Sequence, residues 1–294
     1  MRTGIRTKIL GGFLLIILLA AALSLYSGAI SEGSLEASVG SNSVFLAEEI
    51  SKRISHDIYT KIGELQTLSM HSHFQETLQE SNTRFKKIGD VEDWIEQRET
   101  EWVAAPKGKI TPFMRQLIDN ELSRELREGF IELFERKHGY RCISEILVTN
   151  KYGAVVAETR KTPRYRQNNQ SWWQETKNQG IYLAVSRAET GQLFTISVGV
   201  RVDDEIGEFM GVMKAILTIK GIVREAEIAS KQYKTTKIKL ITNDGRLIYR
   251  TRAFKFMEDV SQRAFFKKIK GQEGFFLVKK KKKKELYSYA SSRD

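Results

Sequence analysis

A strand-turn-strand motif occurs twice in the chain and constrains the fold more than any other feature. The first copy, ILVTNKYGAVV, begins at Ile146, and the second, IKLITNDGRLI, begins at Ile238. In each copy, apolar and β-branched residues flank a Thr-Asn pair and a glycine, which is the composition of a tight β-hairpin. This repeat predicts two related subdomains in one α+β chain, each built around an antiparallel sheet.

The first subdomain is predicted over residues 141–220. Three apolar, β-rich segments follow its hairpin, over residues 181–186, 193–202 and 209–219, and turns that contain glycine separate them. We predict a five-stranded antiparallel sheet, with a short helix that carries Trp172 between the second and third strands.

The second subdomain, predicted over residues 221–294, is shorter. Its pattern predicts a helix, the repeated hairpin, another helix and two strands, over residues 221–230, 237–250, 259–269, 274–278 and 286–290. We expect its sheet to lack a last strand, which leaves an open edge. The six-lysine run at 279–284 is self-repelling and is predicted to be a solvated loop. This ending favours the interpretation that the chain is a fragment of a longer protein.

An uncharged apolar segment near the amino terminus is the clearest physical signal in the sequence. It runs from Ile9 to Tyr26 after three basic residues, and as a helix it would be about 27 Å long, close to the hydrocarbon thickness of a bilayer. We predict a cytoplasmic basic tail at 1–8 and a single transmembrane anchor at 9–28 in the cytoplasmic membrane, with the rest outside. A cleaved signal peptide is the alternative, since Ser27-Gly28-Ala29 offers a small-residue cleavage site.

An apolar stripe follows the predicted anchor. Its members recur every three or four residues, the spacing of one face of a helix; they are Leu46, Ile50, Ile54, Ile58, Ile62, Leu65 and Leu68. We predict a long signalling helix over residues 29–72, which pairs with its twin in a homodimer and carries a displacement to the membrane. A helical insert is predicted over residues 73–140, with its last helix ending at Gly139.

Composition excludes several classes of function. The net charge is +12, but half of it comes from the six-lysine run, and no basic groove interleaved with aromatic residues remains to bind nucleic acid. Cys142 is the single cysteine, and no Cys/His cluster has the spacing of metal ligands. We therefore expect neither a metal nor a cofactor.

The string VTNKYGAVVAETRKT, followed by YRQNNQSWWQ, resembles the membrane-distal half of a double Cache sensor domain. Domains of this family are the extracytoplasmic ligand-binding modules of bacterial and archaeal histidine kinases, chemoreceptors and cyclic-di-nucleotide enzymes. The similarity extends from the helix near Leu35 to Asp294. It implies two tandem PAS-like antiparallel sheets, the second incomplete here. It also implies a membrane-anchored sensor that binds a small molecule in its membrane-distal pocket, between the sheet and the loop and helix that carry the tryptophans.

The resemblance also implies a ligand site. By motif position, the ligand-binding residues would be Tyr165, Gln170, Trp172, Trp173, Tyr182 and Asp203, with Asp204 as an alternative acid. Gln170 stands where the amino-acid-binding pattern has arginine, which removes a charge-assisted pair. We therefore expect weak or no binding of amino acids, and a neutral polar or anionic ligand, with Arg160, Arg164 or Arg166 near it. On spacing alone, the two tryptophans also fit simple core packing.

An enzymatic function is the main alternative. The sequence around His56, SHDIYT, resembles the phosphoacceptor box of histidine kinases, but Lys61 replaces the usual proline and nothing later resembles an ATP-binding lid. No nucleophile-base pair or phosphate-binding loop occurs in the chain. We predict that this chain is not itself an enzyme, although an intact relative could be a kinase. A domain that is anchored and binds partners only is the third reading.

Overall fold

The fold is described from a computed structural model that covers residues 5–106, 108–187, 194–218, 224, 227–228, 231, 236–251, 254–280 and 283–291, with the side chains of 5–17, 20–22, 29, 186–187, 194, 280 and 283 left out. The chain divides into two compact units. One unit joins Met1–Arg53 to Asp259–Asp294, and the other is Ile54–Glu258.

Helices dominate the first half of the chain. Their bounds are α1 Ile5–Ser69, α2 Ser72–Lys86, α3 Val91–Ala104, α4 Pro112–Ile118, α5 Glu121–Arg124, a π-helical segment Glu125–Ile131, α6 Glu132–His138 and, later in the chain, α7 Ser171–Gln179. Local chemistry explains several ends. The Asp90 side chain accepts a hydrogen bond from the Asp93 amide and caps α3. Gly139, at φ 72°, ends α6 in the left-handed conformation, which confirms the predicted stop.

A five-stranded antiparallel sheet is the centre of the larger unit. Its strands are β1 Ile143–Asn150, β2 Val155–Glu158, β3 Ile181–Arg187, β4 Phe194–Asp203 and β5 Phe209–Thr218, in the order β2-β1-β5-β4-β3. The predicted hairpin turn closes through a bond from the Gly153 amide to the Asn150 carbonyl. The five strands and the helix between the second and third are confirmed.

The sheet separates two apolar clusters. Alternate side chains of β1, β4 and β5, such as Ile146, Val198 and Met213, pack with the buried stripe of α1, including Leu65. The opposite face packs against α7 and the helical insert. A sheet covered on both faces buries most residues of its central strands, and the apolar runs of β4 and β5 reflect this burial.

The last part of the chain, after β5, departs from the prediction. Strands β6 Lys239–Ile241, β7 Arg246–Arg250 and β8 Glu258–Asp259 form a three-stranded sheet, whereas β9 Glu273–Lys280 pairs with β10 Lys283–Ala290 in a separate antiparallel ribbon. The repeated hairpin is therefore present, but the described strands do not form one second sheet. The helix predicted over 221–230 lies largely outside the described residues.

The helix predicted over residues 259–269 is wrong. The structure has only a 3-10 turn, Phe266–Lys268, in this stretch. The Asp259 carboxylate accepts a hydrogen bond from the Ser261 amide at 2.9 Å, an Asx turn that competes with helix formation, and Val260 is buried.

The lysine run is not only a loop, which corrects a second prediction. Lys279 and Lys280 belong to β9, and Lys283 and Lys284 belong to β10, in register as pairs Lys280–Lys283 and Lys279–Lys284. The ribbon holds these lysines in strands because aromatic rings pair across it, with Phe276 stacked on Tyr287 at 5.6 Å between centroids.

The apolar segment from Ile9 to Tyr26 lies within α1, but most of its side chains are outside the described residues. Among the residues that the structure describes, none of the helices is both long and apolar enough to span a bilayer.

Candidate functional site

Helix α7 lies tightly against one face of the five-stranded sheet. A Cβ atom on Gly199 of β4 would lie 2.1 Å from Oγ1 of Thr176, so glycine at this position permits the close approach. Leu147, Lys214, Gly199 and Tyr182 form one row across β1, β5, β4 and β3, in register. We call the side of the sheet that carries this row the α7 face.

Trp173 anchors α7 to the sheet. Its ring is 2% exposed, and its indole N–H donates to Oγ1 of Thr149 at 2.8 Å. The Thr149 hydroxyl in turn donates to the Val212 carbonyl at 3.2 Å, and Phe209 meets the indole edge to face. The threonine of the repeated hairpin motif thus links β1, β5 and the tryptophan. For Trp173, the core-packing interpretation describes the contacts that are present.

Trp172 faces a half-buried cation. Nζ of Lys214 lies 4.4 Å from the centroid of the Trp172 ring, within the range of a cation-π interaction. Burial lowers the pKa of Lys214, and the negative charge of Glu145 acts in the opposite direction. Within the described part of the chain, Lys214 makes neither a hydrogen bond nor an ion pair.

A cation removed from water without a hydrogen-bonded counter-ion is unfavourable, because an aromatic ring alone does not replace its hydration. The α7 face therefore carries a cation, the Lys214 ammonium, to which an anion could bind. An anionic group that reached Nζ of Lys214 beside Trp172 would pair with this cation through a charge-assisted hydrogen bond.

Tyr165 lies in the same apolar cluster but meets the rings of the helical insert. Phe113, Trp102 and Trp94 surround it at 5.3, 5.7 and 6.1 Å between ring centroids. The side chain is 2% exposed, and burial raises the pKa of its hydroxyl, while Arg98 opposes this shift. Tyr165 thus joins the insert to the loop that precedes α7.

A buried glutamate of the insert fixes this loop. Oε2 of Glu99 on α3 accepts hydrogen bonds from the amides of Tyr165 and Arg166 at 2.8 and 2.9 Å, and Oε1 accepts from Arg164 at 3.3 Å. Arg166 also pairs with Glu92 and Glu96. Two of the three arginines expected near a ligand are therefore held by carboxylates of the insert, and the third, Arg160, is exposed.

A second buried glutamate holds the start of the loop. Oε2 of Glu158 accepts hydrogen bonds from the amide and the hydroxyl of Thr162, at 3.0 and 2.8 Å. Its other oxygen, Oε1, is buried and has no partner among the described residues. Burial raises the pKa of this carboxyl to about 8, despite the hydrogen bonds from Thr162.

The remaining predicted residues lie at the edges. Gln170 is the N-cap residue of α7, and its side-chain Nε2 donates to Oδ1 of Asn169. Asp203 accepts from Nε of Arg201 at 2.8 and 3.0 Å at the end of β4. Tyr182 lies on the edge strand and packs against the cluster that holds the tryptophans.

The structure thus brings Tyr165, Trp172, Trp173 and Tyr182 into one cluster, whereas Gln170 and Asp203 make separate contacts. The sequence reading missed Lys214, although it is the single charged residue in the apolar segment FMGVMKAILT. No group of three or more potential metal ligands occurs among the described residues.

No protein-family model matches the chain, and no curated protein matches its sequence. Solved structures do match it. The extracellular domain of a candidate histidine kinase, rpHK1S-Z16, is 18% identical, with a TM-score of 0.39 over 79% of this chain and 89% of that one. The ligand-binding domain of the Pseudomonas aeruginosa amino acid chemoreceptor PctC, in complex with GABA, is 8% identical, with a TM-score of 0.42 over 77% and 89%.

The sensory domain of the Campylobacter jejuni chemoreceptor Tlp3, with isoleucine bound, is 12% identical, with a TM-score of 0.39 over 80% of this chain and 89% of that one. These neighbours are sensor or ligand-binding domains of histidine kinases and chemoreceptors, the class of domain that the sequence resembles. At identities of 18% or less and TM-scores below 0.5, they assign no residue of this chain a role.

Proposed function

We propose that this chain is the sensor region of a membrane-anchored signalling protein, and that it binds a small anionic compound on the α7 face of the five-stranded sheet. The observation that carries the proposal is the half-buried Lys214, which lies over Trp172 and lacks an ion pair among the described residues. Folded proteins pair their buried charges, so a ligand carboxylate or phosphate is the natural partner.

The ligand class follows from the groups near Lys214. The aromatic surface of Trp172 and the phenol of Tyr182 offer apolar contact and one hydrogen-bonding group, as in sites for small polar molecules. Arg164 and Arg166 of the preceding loop are already engaged by Glu92, Glu96 and Glu99. We therefore infer that Lys214 is the main cation for the ligand, and that α-amino acids bind weakly or not at all because Gln170 supplies no charge.

The proposed topology places the sheet outside the cytoplasmic membrane. Residues 9–28 anchor the chain, and the following part of α1 carries the signal. The described apolar side chains near the end of the anchor are 56% to 77% exposed, as expected of groups that contact lipid; they are Leu18, Leu19, Leu23, Leu25 and Tyr26. Farther along α1, Leu35, Val39 and Phe45 are also exposed and suit a homodimer contact.

The signal would pass through the core. The face of the sheet opposite α7 packs against Leu65 and Leu68 of α1. Because packed elements have few alternative arrangements, a ligand that repositions β5 favours a shift of α1. A domain that only binds partners, the third reading, would require neither Lys214 nor Trp172.

Thermal unfolding of the full chain in detergent tests the proposal. The probes are acetate, lactate, succinate, malate, inorganic phosphate and a panel of α-amino acids. At least one anion should raise the melting temperature, and the amino acids should not. In Lys214→Gln, the affinity should fall about 10-fold to 150-fold, the equivalent of one charged hydrogen bond of about 1.5–3 kcal/mol.

Lys177→Gln is the matched control. Nζ of Lys177 lies 5.6 Å from the Trp173 ring, but Lys177 belongs to α7 rather than to the sheet, so its removal should leave the affinity unchanged. No shift with any anion, or an equal loss of affinity in both variants, would refute the proposed site.

A further inference from the structure

The β9–β10 ribbon concentrates positive charge at one end. Lys279 and Lys280 end β9, and Lys283 and Lys284 begin β10, as cross-strand pairs. Like charges that lie opposite each other across a ribbon repel. Lys284 is compensated, because Nζ lies 2.9 Å from Glu32 and 3.1 Å from Glu36 on α1. The neighbouring Lys279 is exposed.

Contacts within this unit fix the direction of the ribbon along α1. Phe275, near the start of β9, packs on Gly40, where an added Cβ would lie 2.5 Å from its ring. Four residues later in β9, Lys279 pairs with Lys284, which contacts Glu32 and Glu36. The ribbon therefore runs along α1 toward the amino terminus.

The distances along the two elements agree. Eight helical residues from Gly40 back to Glu32 span about 12 Å, and four strand residues from Phe275 to Lys279 span about 13 Å. Tyr26, where the apolar segment ends, is six residues before Glu32, or about 9 Å farther along the helix. The Lys280–Lys283 pair lies beyond Lys284 in this same direction.

We propose that the lysine end of the β9–β10 ribbon is a contact surface for the anionic lipid headgroups of the membrane in which the chain is anchored. This inference rests on the anchor of the proposed function, but not on the ligand site. The lysines lie within about 10 Å of the end of the apolar segment. This distance is close to the Debye length at physiological salt, so the charge of the membrane surface acts on them. The contact would hold the ribbon, and the part of α1 that carries Glu32 and Glu36, against the bilayer.

The positive charge of the lysine end is the reason that we assign anionic lipid as its partner. A basic residue near an anionic surface favours binding about fivefold. Several lysines act together, whereas the compensated Lys284 keeps the ribbon attached to α1.

Lysine acetylation of the full chain tests this surface. The protein is reconstituted in vesicles of phosphatidylcholine alone, or of phosphatidylcholine with phosphatidylglycerol, and treated with a membrane-impermeant acetylating reagent. Mass spectrometry compares the run 279–284 with the exposed pair Lys86 and Lys87 in the same molecules. The run should react several-fold more slowly in the anionic vesicles only, and about 1 M salt should remove this protection because the Debye length falls to about 3 Å.

Two double variants separate the outcomes. In the anionic vesicles, we expect hydrogen exchange in peptides of β9 and β10 to be slower than in the neutral ones. Lys279→Glu with Lys280→Glu should abolish this slowing, whereas Lys86→Glu with Lys87→Glu should not. Equal acetylation in both lipids, or protection that persists in neutral lipid, would overturn the proposal while the anchor stands. If alkaline carbonate extracts the chain from the vesicles, the chain has no transmembrane anchor, and the proposed lipid contact is refuted as well.

Discussion

Replacement of Glu158 by glutamine should remove a large pH dependence of stability. The carboxyl group of Glu158 is fully buried, Oε2 accepts two hydrogen bonds from Thr162, and Oε1 has no partner among the described residues. Burial raises its pKa from 4.5 to about 8. In glutamine, the amide oxygen accepts the same two bonds, but the side chain cannot ionise.

The direction in which stability changes with pH follows from the number of protons that the folded and unfolded chains bind. Below pH 4.5 the group is protonated in both the folded and the unfolded chain. Between pH 4.5 and about 8 the unfolded chain releases this proton and the folded chain keeps it, so the free energy of unfolding falls as the pH rises. At about 1.4 kcal/mol per pH unit, the full loss is on the order of 5 kcal/mol.

Urea unfolding of the full chain in detergent, followed by tryptophan fluorescence, measures this effect. The wild-type protein should lose several kcal/mol of stability between pH 5 and about 8.5, whereas Glu158→Gln should lose much less. His73 also has a raised pKa, because it hydrogen-bonds Glu125, but it contributes equally to both proteins and cancels in the comparison. Parallel pH profiles for the two proteins would refute the reasoning.

Two further changes test how α7 is held. Trp173→Phe removes the indole donor to Thr149 and should lower the free energy of unfolding by about 2 kcal/mol or more. Trp94→Phe is the control and should lower it less. Equal losses in the two variants would contradict a specific role for this hydrogen bond. Gly199→Ala forces a Cβ against Thr176 and should cost about 1–3 kcal/mol, measured by urea unfolding, whereas Gly63→Ala on α1 has open space and should be neutral or stabilising. A harmless Gly199→Ala would show that α7 is not tightly seated.

As far as β5, much of the fold could be predicted from residues that are adjacent in the sequence. The Asn150 and Gly153 turn, the apolar β-branched run of β1 and the glycine stop at Gly139 each depend on a few adjacent residues. Such local signals survive folding unchanged, because no distant partner competes with them. The apolar stripe through Leu65 and Leu68 likewise predicts one buried face of α1.

The part of the chain after β5 was harder to predict for physical reasons. The stretch after Asp259 has apolar residues at helical spacing, but the Asx turn at Ser261 and the burial of Val260 determine its conformation. The sequence predicts a loop for the lysines of β9 and β10, because the repulsion between adjacent like charges is visible in the sequence. The contacts of Lys284 with Glu32 and Glu36 are not visible there, since about 250 residues separate the partners.

The candidate site was predicted only in part. The aromatic residues Tyr165, Trp172 and Trp173 could be found by resemblance, and the structure brings them into one cluster. The contact of Lys214 with Trp172 could not, because it depends on the register of β5 under α7. Glu99 fixes a loop 66 residues away, and spacing alone gives no sign of such a pair.

Hydrogen exchange of the full chain in detergent, with and without the anion panel, tests the central claim most directly. We predict that at least one of acetate, lactate, succinate, malate or phosphate slows exchange in peptides of α7 and β5 and leaves β6 and β7 unchanged. Lys214→Gln should lose this protection, and Lys177→Gln should keep it. If no anion protects α7 and β5, or if protection survives in Lys214→Gln, the α7 face is not the ligand site.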